Sequence, residues 1–178
     1  MSSLVKNIIR FILFILVQVF VLNQVPPLHH LINPYLYFLF ILWLPFKTGR
    51  KTLMFLALVL GLTLDYFTKT PGLHAAPCVL IAYLRPFLVN ILIPQEGADG
   101  NYEEPSIKSM GGFLPYFIYV GVLTIIHHSW LFLLEAWQFG NIWYFLGKTL
   151  LSTAISLLLI IITELLFVRK QKFRTNTV

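Results

Sequence analysis

Residues 57–86 read ALVLGLTLDYFTKTPGLHAAPCVLIAYLRP. Two apolar helical runs meet there at a polar turn, TKTPG at residues 68–72, with Pro71 and Gly72 as its turn formers. The runs carry an acid, an imidazole and a guanidinium: Asp65, His74 and Arg85. An ionisable side chain at membrane depth costs roughly 2.5–3.5 kcal/mol on insertion scales, so each needs a structural or functional reason. Two arrangements compete. Either the three form a buried functional cluster, or Asp65 and His74 sit at headgroup level while Arg85 snorkels. Helical arithmetic separates them, because Arg85 falls about 18 Å along its helix at 1.5 Å per residue. An Asp65–Arg85 ion pair is thereby disfavoured, and Asp65 is expected to meet His74. Ala57, Gly61 and Asp65 recur at every fourth position, a small-residue stripe that lets another helix approach closely. His74, Cys78, Ala82 and Arg85 share an arc of the next helix.

Composition sets the environment. Of 178 residues 58% are hydrophobic and 11% charged, with a mean hydropathy of +0.80. Soluble domains run near 45–50% apolar and about 25% charged, so the chain is expected to be an all-α integral membrane protein of one domain. The formal net charge of +6 does not indicate nucleic acid. The basic residues flank apolar runs and fill the C-terminal tail, which is the pattern of membrane orientation and anionic-lipid contact. The lone cysteine, Cys78, excludes an intrachain disulfide and a cysteine-based metal cluster.

Taken in order, the apolar runs predict six spans, over about residues 7–25, 31–46, 52–67, 73–93, 113–134 and 142–168. The first follows Lys6 and Arg10, runs into Pro26 and Pro27, and is expected to be retained, since no small-residue cleavage site follows. Within it Gln18 is expected to face a neighbouring helix. The second is short for a span, with Tyr35, Tyr37 and Trp43 suited to interfacial ends. His29 and His30 fall in the turn before it, as interfacial histidines. Residues 94–112 form an acidic, turn-rich cytoplasmic loop, the one segment expected to be flexible. His127 and His128 point about 100° apart on the fifth helix, so at most one should face a given partner. Thr149, Ser152, Thr153, Ser156 and Thr163 give the sixth a hydroxyl face for bonding inside the bundle. Glu164 is expected to snorkel with Arg169 and Lys170, ahead of a basic tail over residues 169–178.

Lysine and arginine set the orientation. With six crossings, Lys6, Arg10, residues 47–51 (KTGRK), Lys108 and the tail share one side, and Lys69 falls clearly on the other. Both termini are then cytoplasmic, in a multi-pass inner-membrane protein, and Asp65 and His74 lie near the outer face. The chain lacks a nucleophile with its base, paired carboxylates and a phosphate-cradling glycine loop. It is expected to be no enzyme, with no catalytic residue, metal ligand or cofactor. Gly61, Asp65, Gly72, His74 and Arg85 are the candidate functional or packing positions.

Residues 32–46 (INPYLYFLFILWLPF), 55–76 (FLALVLGLTLDYFTKTPGLHAA) and 80–86 (LIAYLRP) resemble the rod shape-determining membrane protein family MreD, most closely its Bacteroidetes-type branch. The most specific part is Gly61, Leu62 and Asp65 followed by Gly72, Leu73, His74 and Ala75. The resemblance covers the first four helices, and the last two by length and hydropathy. It implies a non-enzymatic scaffold of the cell-elongation machinery that binds MreC and helps couple the MreB cytoskeleton to RodA and its penicillin-binding transpeptidase. It also implies a fold similar to the substrate-binding subunit of energy-coupling-factor transporters. The competing function is therefore a solute- or vitamin-binding transporter subunit. Such a subunit should dock through small residues on its first helix, and IIRFILFILVQVF (residues 8–20) has no alanine or glycine.

Overall fold

The computed structural model describes residues 3–24, 31–93, 103–136 and 141–167. Among the described residues there are six α-helices: α1 (Ser3–Phe20), α2 (Leu39–Trp43), α3 (Arg50–Thr68), α4 (Ala75–Leu92), α5 (Phe113–Glu135) and α6 (Ile142–Leu166), with a 3-10 turn at Leu22–Gln24 after α1. No strand occurs among the described residues. Five of these helices are long and apolar enough to cross a membrane. This is an all-α membrane protein, and the many outward-facing apolar side chains, such as Ile8, Phe55, Leu114 and Leu150, are what a lipid-embedded surface requires.

The second expected span takes a different form. Residues 31–46 do not make one helix: only the five residues of α2 are helical, and residues 32–36 have no regular secondary structure. Pro34 contributes to the interruption, since it has no N–H and keeps Asn33 out of the helical region. Yet the segment still passes from one end of the bundle to the other. Ile32 and Asn33 lie beside His74, and the Phe46 N–H donates to the Glu103 carbonyl at 2.9 Å at the opposite end. Tyr37 and Trp43 are not interfacial but buried, and every residue from Leu36 to Leu44 is inside the core.

Side chains replace the missing helical hydrogen bonds. Gln18 Oε1 accepts from Leu36 N–H at 2.8 Å, and its Nε2 donates to the Pro34 carbonyl at 3.1 Å. Ser152 Oγ accepts from Asn33 N–H and Ser156 Oγ from Tyr35 N–H, each at 3.0 Å. The hydroxyl face of α6 thus serves the irregular passage. Gln18 does too, instead of facing a helix.

At the opposite end the second half of the long loop is packed, contrary to its expected flexibility. Met110 is buried, Ser106 and Ser109 close a hydrogen-bonded turn, and Glu104 pairs with both Lys6 and Arg10 at 2.9 Å. Arg10 also stands over the Trp43 ring, 5.4 Å from its centroid. Residues 94–102 and the tail from 168 onward, with Arg169 and Lys170, lie outside the described residues, as do His29 and His30. Glu164 accepts from the Tyr116 hydroxyl at 2.8 Å, and its expected partners Arg169 and Lys170 lie outside the described residues.

The α3–α4 hairpin is the tightest contact. A Cβ built on Gly61 would stand 2.3 Å from Ala75 Cα and 2.9 Å from the His74 carbonyl oxygen. Backbone cannot yield as a flexible side chain does. Gly61→Ala is expected to cost roughly 1–3 kcal/mol or more by overpacking and to lower the detergent melting temperature. Gly121→Ala, whose Cβ meets nothing within 4 Å, is the control and should be neutral or stabilise by up to about 1 kcal/mol.

Candidate functional site

Asp65 stands in the last turn of α3, where the chain must reverse. Its carbonyl accepts from Thr70 N–H at 3.1 Å and from Lys69 N–H. Lys69 is in the left-handed conformation (φ 59°), and Gly72 follows at φ 85°, a value that favours a residue without Cβ. This turn swings the start of α4 onto the Asp65 carboxylate. Oδ1 accepts from His74 N–H at 2.8 Å, and Oδ2 from Gly72 N–H at 2.9 Å and Ala75 N–H at 3.1 Å. His74 Nδ1 lies 2.8 Å from Oδ1. A carboxylate from one helix therefore caps the next, satisfying amides that have no partner in their own helix and meeting the positive end of its dipole. Asp65 and His74 are 3% and 4% exposed.

Arg85 serves a different part of the core. It is 1% exposed and about 15 Å up α4 from Ala75 at 1.5 Å per residue. Its Nε donates to the Tyr119 hydroxyl at 2.9 Å, its Nη2 donates to the Leu44 carbonyl, and the Tyr119 hydroxyl in turn donates to the Leu42 carbonyl at 2.9 Å. The guanidinium thus occupies carbonyls freed where α2 ends. Among the described residues no carboxylate, the acidic loop's included, pairs with it.

The two adjacent histidines both enter the core, against the expectation that only one would face a given partner. His127 stacks on Phe38 with centroids 4.4 Å apart, and its Nε2 lies 2.9 Å from the Tyr37 hydroxyl. His128 meets Phe38 edge-on at 5.8 Å, and its Nε2 lies 3.1 Å from Ser156 Oγ. The irregular passage is wide enough to touch two faces of α5, which single-helix geometry does not anticipate. No group of three or more potential metal ligands occurs among the described residues.

Of the five positions singled out from the sequence, Gly61, Asp65, Gly72 and His74 come together in the hairpin turn, and Arg85 stands apart. Sequence reasoning missed Tyr119, Tyr35 and Glu135. Tyr35 and Glu135 join His74, Thr70, Asn23 and Asn33 around a cavity of about 290 Å³ at the end away from Glu104. The mid-helix tyrosine pair Tyr116 and Tyr119 was the available signal for the Arg85 contact, since a hydroxyl inside a span needs a partner. No family model matches the chain, and no curated protein or solved structure matches it either.

Asp65→Ala should orphan three amides, of Gly72 in the turn, His74 at the N-cap and Ala75 in α4, at about 1–3 kcal/mol each, and lower the melting temperature more than Asp65→Asn, which keeps one acceptor. Tyr119→Phe removes the hydroxyl shared by Arg85 and Leu42 and should cost about 1–3 kcal/mol. Tyr66→Phe, at an 82% exposed position, should leave the melting curve unchanged.

Proposed function

We propose that the chain is a non-enzymatic scaffold of the bacterial cell-elongation machinery, of the MreD kind. In this reading it lies in the cytoplasmic membrane with both termini inside, binds MreC, and helps couple MreB to RodA and its transpeptidase. The observation that carries it is where the core charges go. Asp65 is occupied by the amides that open α4, and Arg85 by Tyr119 and the Leu44 carbonyl. Both act on the chain's own backbone, which supports a protein that holds a shape. The likeness of residues 32–46, 55–76 and 80–86 to the MreD family supports the rest.

A docking face for a single-span partner is available on α1. Ile8, Ile12, Leu16 and Phe20 form an outward ridge at every fourth position, each 46–60% exposed. The cavity lined by His74 and Glu135 favours the second reading, a solute-binding transporter subunit. Against it stands the first helix, whose docking face would need small residues it lacks.

A tagged copy should co-purify with MreC from mild detergent, and recovery with a nucleotide-binding transporter module in place of MreC would overturn the scaffold reading. Replacing Ile8, Ile12 and Leu16 together by alanine should leave the melting temperature unchanged and cut MreC recovery about tenfold, as loss of interface anchors does. Cells carrying only that variant should be rounder or wider at normal protein level.

A further inference from the structure

Four buried polar atoms have no hydrogen-bond partner among the described residues: Thr124 Oγ1 and His127 Nδ1 on α5, and Thr149 Oγ1 and Thr153 Oγ1 on α6. The four residues are 0–5% exposed. A helical threonine has a ready alternative, which is to donate to the carbonyl one turn back. Thr63, Thr68 and Thr163 take it, at 2.7, 3.0 and 2.7 Å from the Val59, Leu64 and Leu159 oxygens. The three core threonines do not, so their hydroxyls face the bundle and not their own backbone. A buried hydroxyl left unmet costs more than the immobilisation of one water beside it. Each of these groups therefore calls for a partner.

The four atoms lie along one seam. Three polar rungs tie α5 to α6: Glu135 to Lys148 at 2.7 Å, His128 to Ser156 at 3.1 Å and Tyr116 to Glu164 at 2.8 Å. Thr149 and Thr153 fall between the first two rungs, one turn apart on the buried α6 face that carries Ser156. Thr124, His128, Leu131 and Glu135 share one α5 face at helical spacing, and His127 stands one turn from Thr124. There is room as well. Gly121 is buried one turn before Thr124, and a Cβ built on it would meet nothing within 4 Å. The lining is hydroxyl and imidazole, so a partner has to donate as well as accept, which water does. The seam is also reachable, because the Glu135 side chain at its first rung is 42% exposed and lines the cavity at the hairpin end.

We propose that ordered waters fill the α5–α6 seam, entering beside Glu135 and Lys148 and reaching Thr124. From Glu135 to Thr124 the track descends about 16 Å at 1.5 Å per residue, roughly half of a 30 Å hydrocarbon core. Thr149 and Thr153 hold the waters nearer the mouth. The innermost water bridges Thr124 Oγ1 and His127 Nδ1, on the far side of an imidazole whose Nε2 lies 2.9 Å from the Tyr37 hydroxyl. The track thus admits water to the centre of the core, beside the irregular passage. The inference stands apart from the scaffold reading, whose docking face is α1.

The test is radiolytic footprinting of the full chain in lipid nanodiscs. Hydroxyl radicals made from water oxidise the side chains next to it, and peptide mass spectrometry locates the product. Leu131 and Leu60 make a matched pair, both leucines and both 0% exposed, the first on the seam and the second on α3. Leu131 should be oxidised several-fold faster than Leu60. Replacing Thr124, Thr149 and Thr153 together by valine keeps the shape, removes the hydroxyls and should bring Leu131 down to the rate of Leu60. Thr153→Val alone should lower it part of the way, which keeps the test open if the triple variant folds poorly. Equal rates for Leu131 and Leu60 in the unsubstituted chain overturn the proposal without recourse to any variant. So does a fast Leu131 that the valine substitutions leave unchanged, since water there would not be held by these hydroxyls.

Discussion

Inside a bilayer a peptide group that leaves the helix has no water to turn to, and each unmet N–H or C=O costs several kcal/mol. This protein leaves the helix over residues 31–38, which run from the cavity end of the bundle into its buried core at Leu36, Tyr37 and Phe38. Most of its conspicuous polar residues answer that one constraint. Gln18 on α1 and Ser152 and Ser156 on α6 serve the first half of the passage, while Arg85 on α4 and Tyr119 on α5 serve the carbonyls where α2 ends. The passage in turn gives these helices a common centre. Phe40 meets Phe11 of α1, Phe38 stacks on His127 of α5, and Leu39, Ile41 and Leu42 are fully buried.

The hairpin of α3 and α4 solves a related problem by different means. Two helices that reverse within a few residues present an N-terminus and a C-terminus together, with amides and carbonyls to satisfy. Asp65 does both: its backbone carbonyl closes the end of α3, and its carboxylate opens α4. That double role demands that the backbones nearly touch, and Gly61 against Ala75 supplies the approach. The acid is therefore a structural clamp first. His74, held by that clamp, lines a cavity at this end.

Much of this was legible in the residues. Hydropathy and composition gave a helical membrane protein, the four-residue spacing of Ala57, Gly61 and Asp65 gave the close-packed face, and helix rise kept Arg85 away from Asp65. The failures share one cause. Periodicity is blind to a segment that is apolar yet irregular, so residues 31–46 read as a short helical span. Tyr37 and Trp43, placed at an interface on that basis, are in the core. The backbone partners of Gln18 and Ser156 were missed for the same reason, because Leu36 and Tyr35 N–H are groups that an unbroken helix would have kept to itself.

The sequence by itself determined the solvent this protein lives in, the sites of its long helices and the Asp65–His74 pairing, all of which depend on local spacing and on the cost of charge in hydrocarbon. Only the tertiary structure decided that the second passage is irregular, that Arg85 is spent on carbonyls 41 residues away in the chain, and that Asn33, Tyr35, His74 and Glu135 converge on one cavity. These depend on which side chain reaches which freed backbone group across the bundle, a matter of three-dimensional distance that no spacing along one helix records.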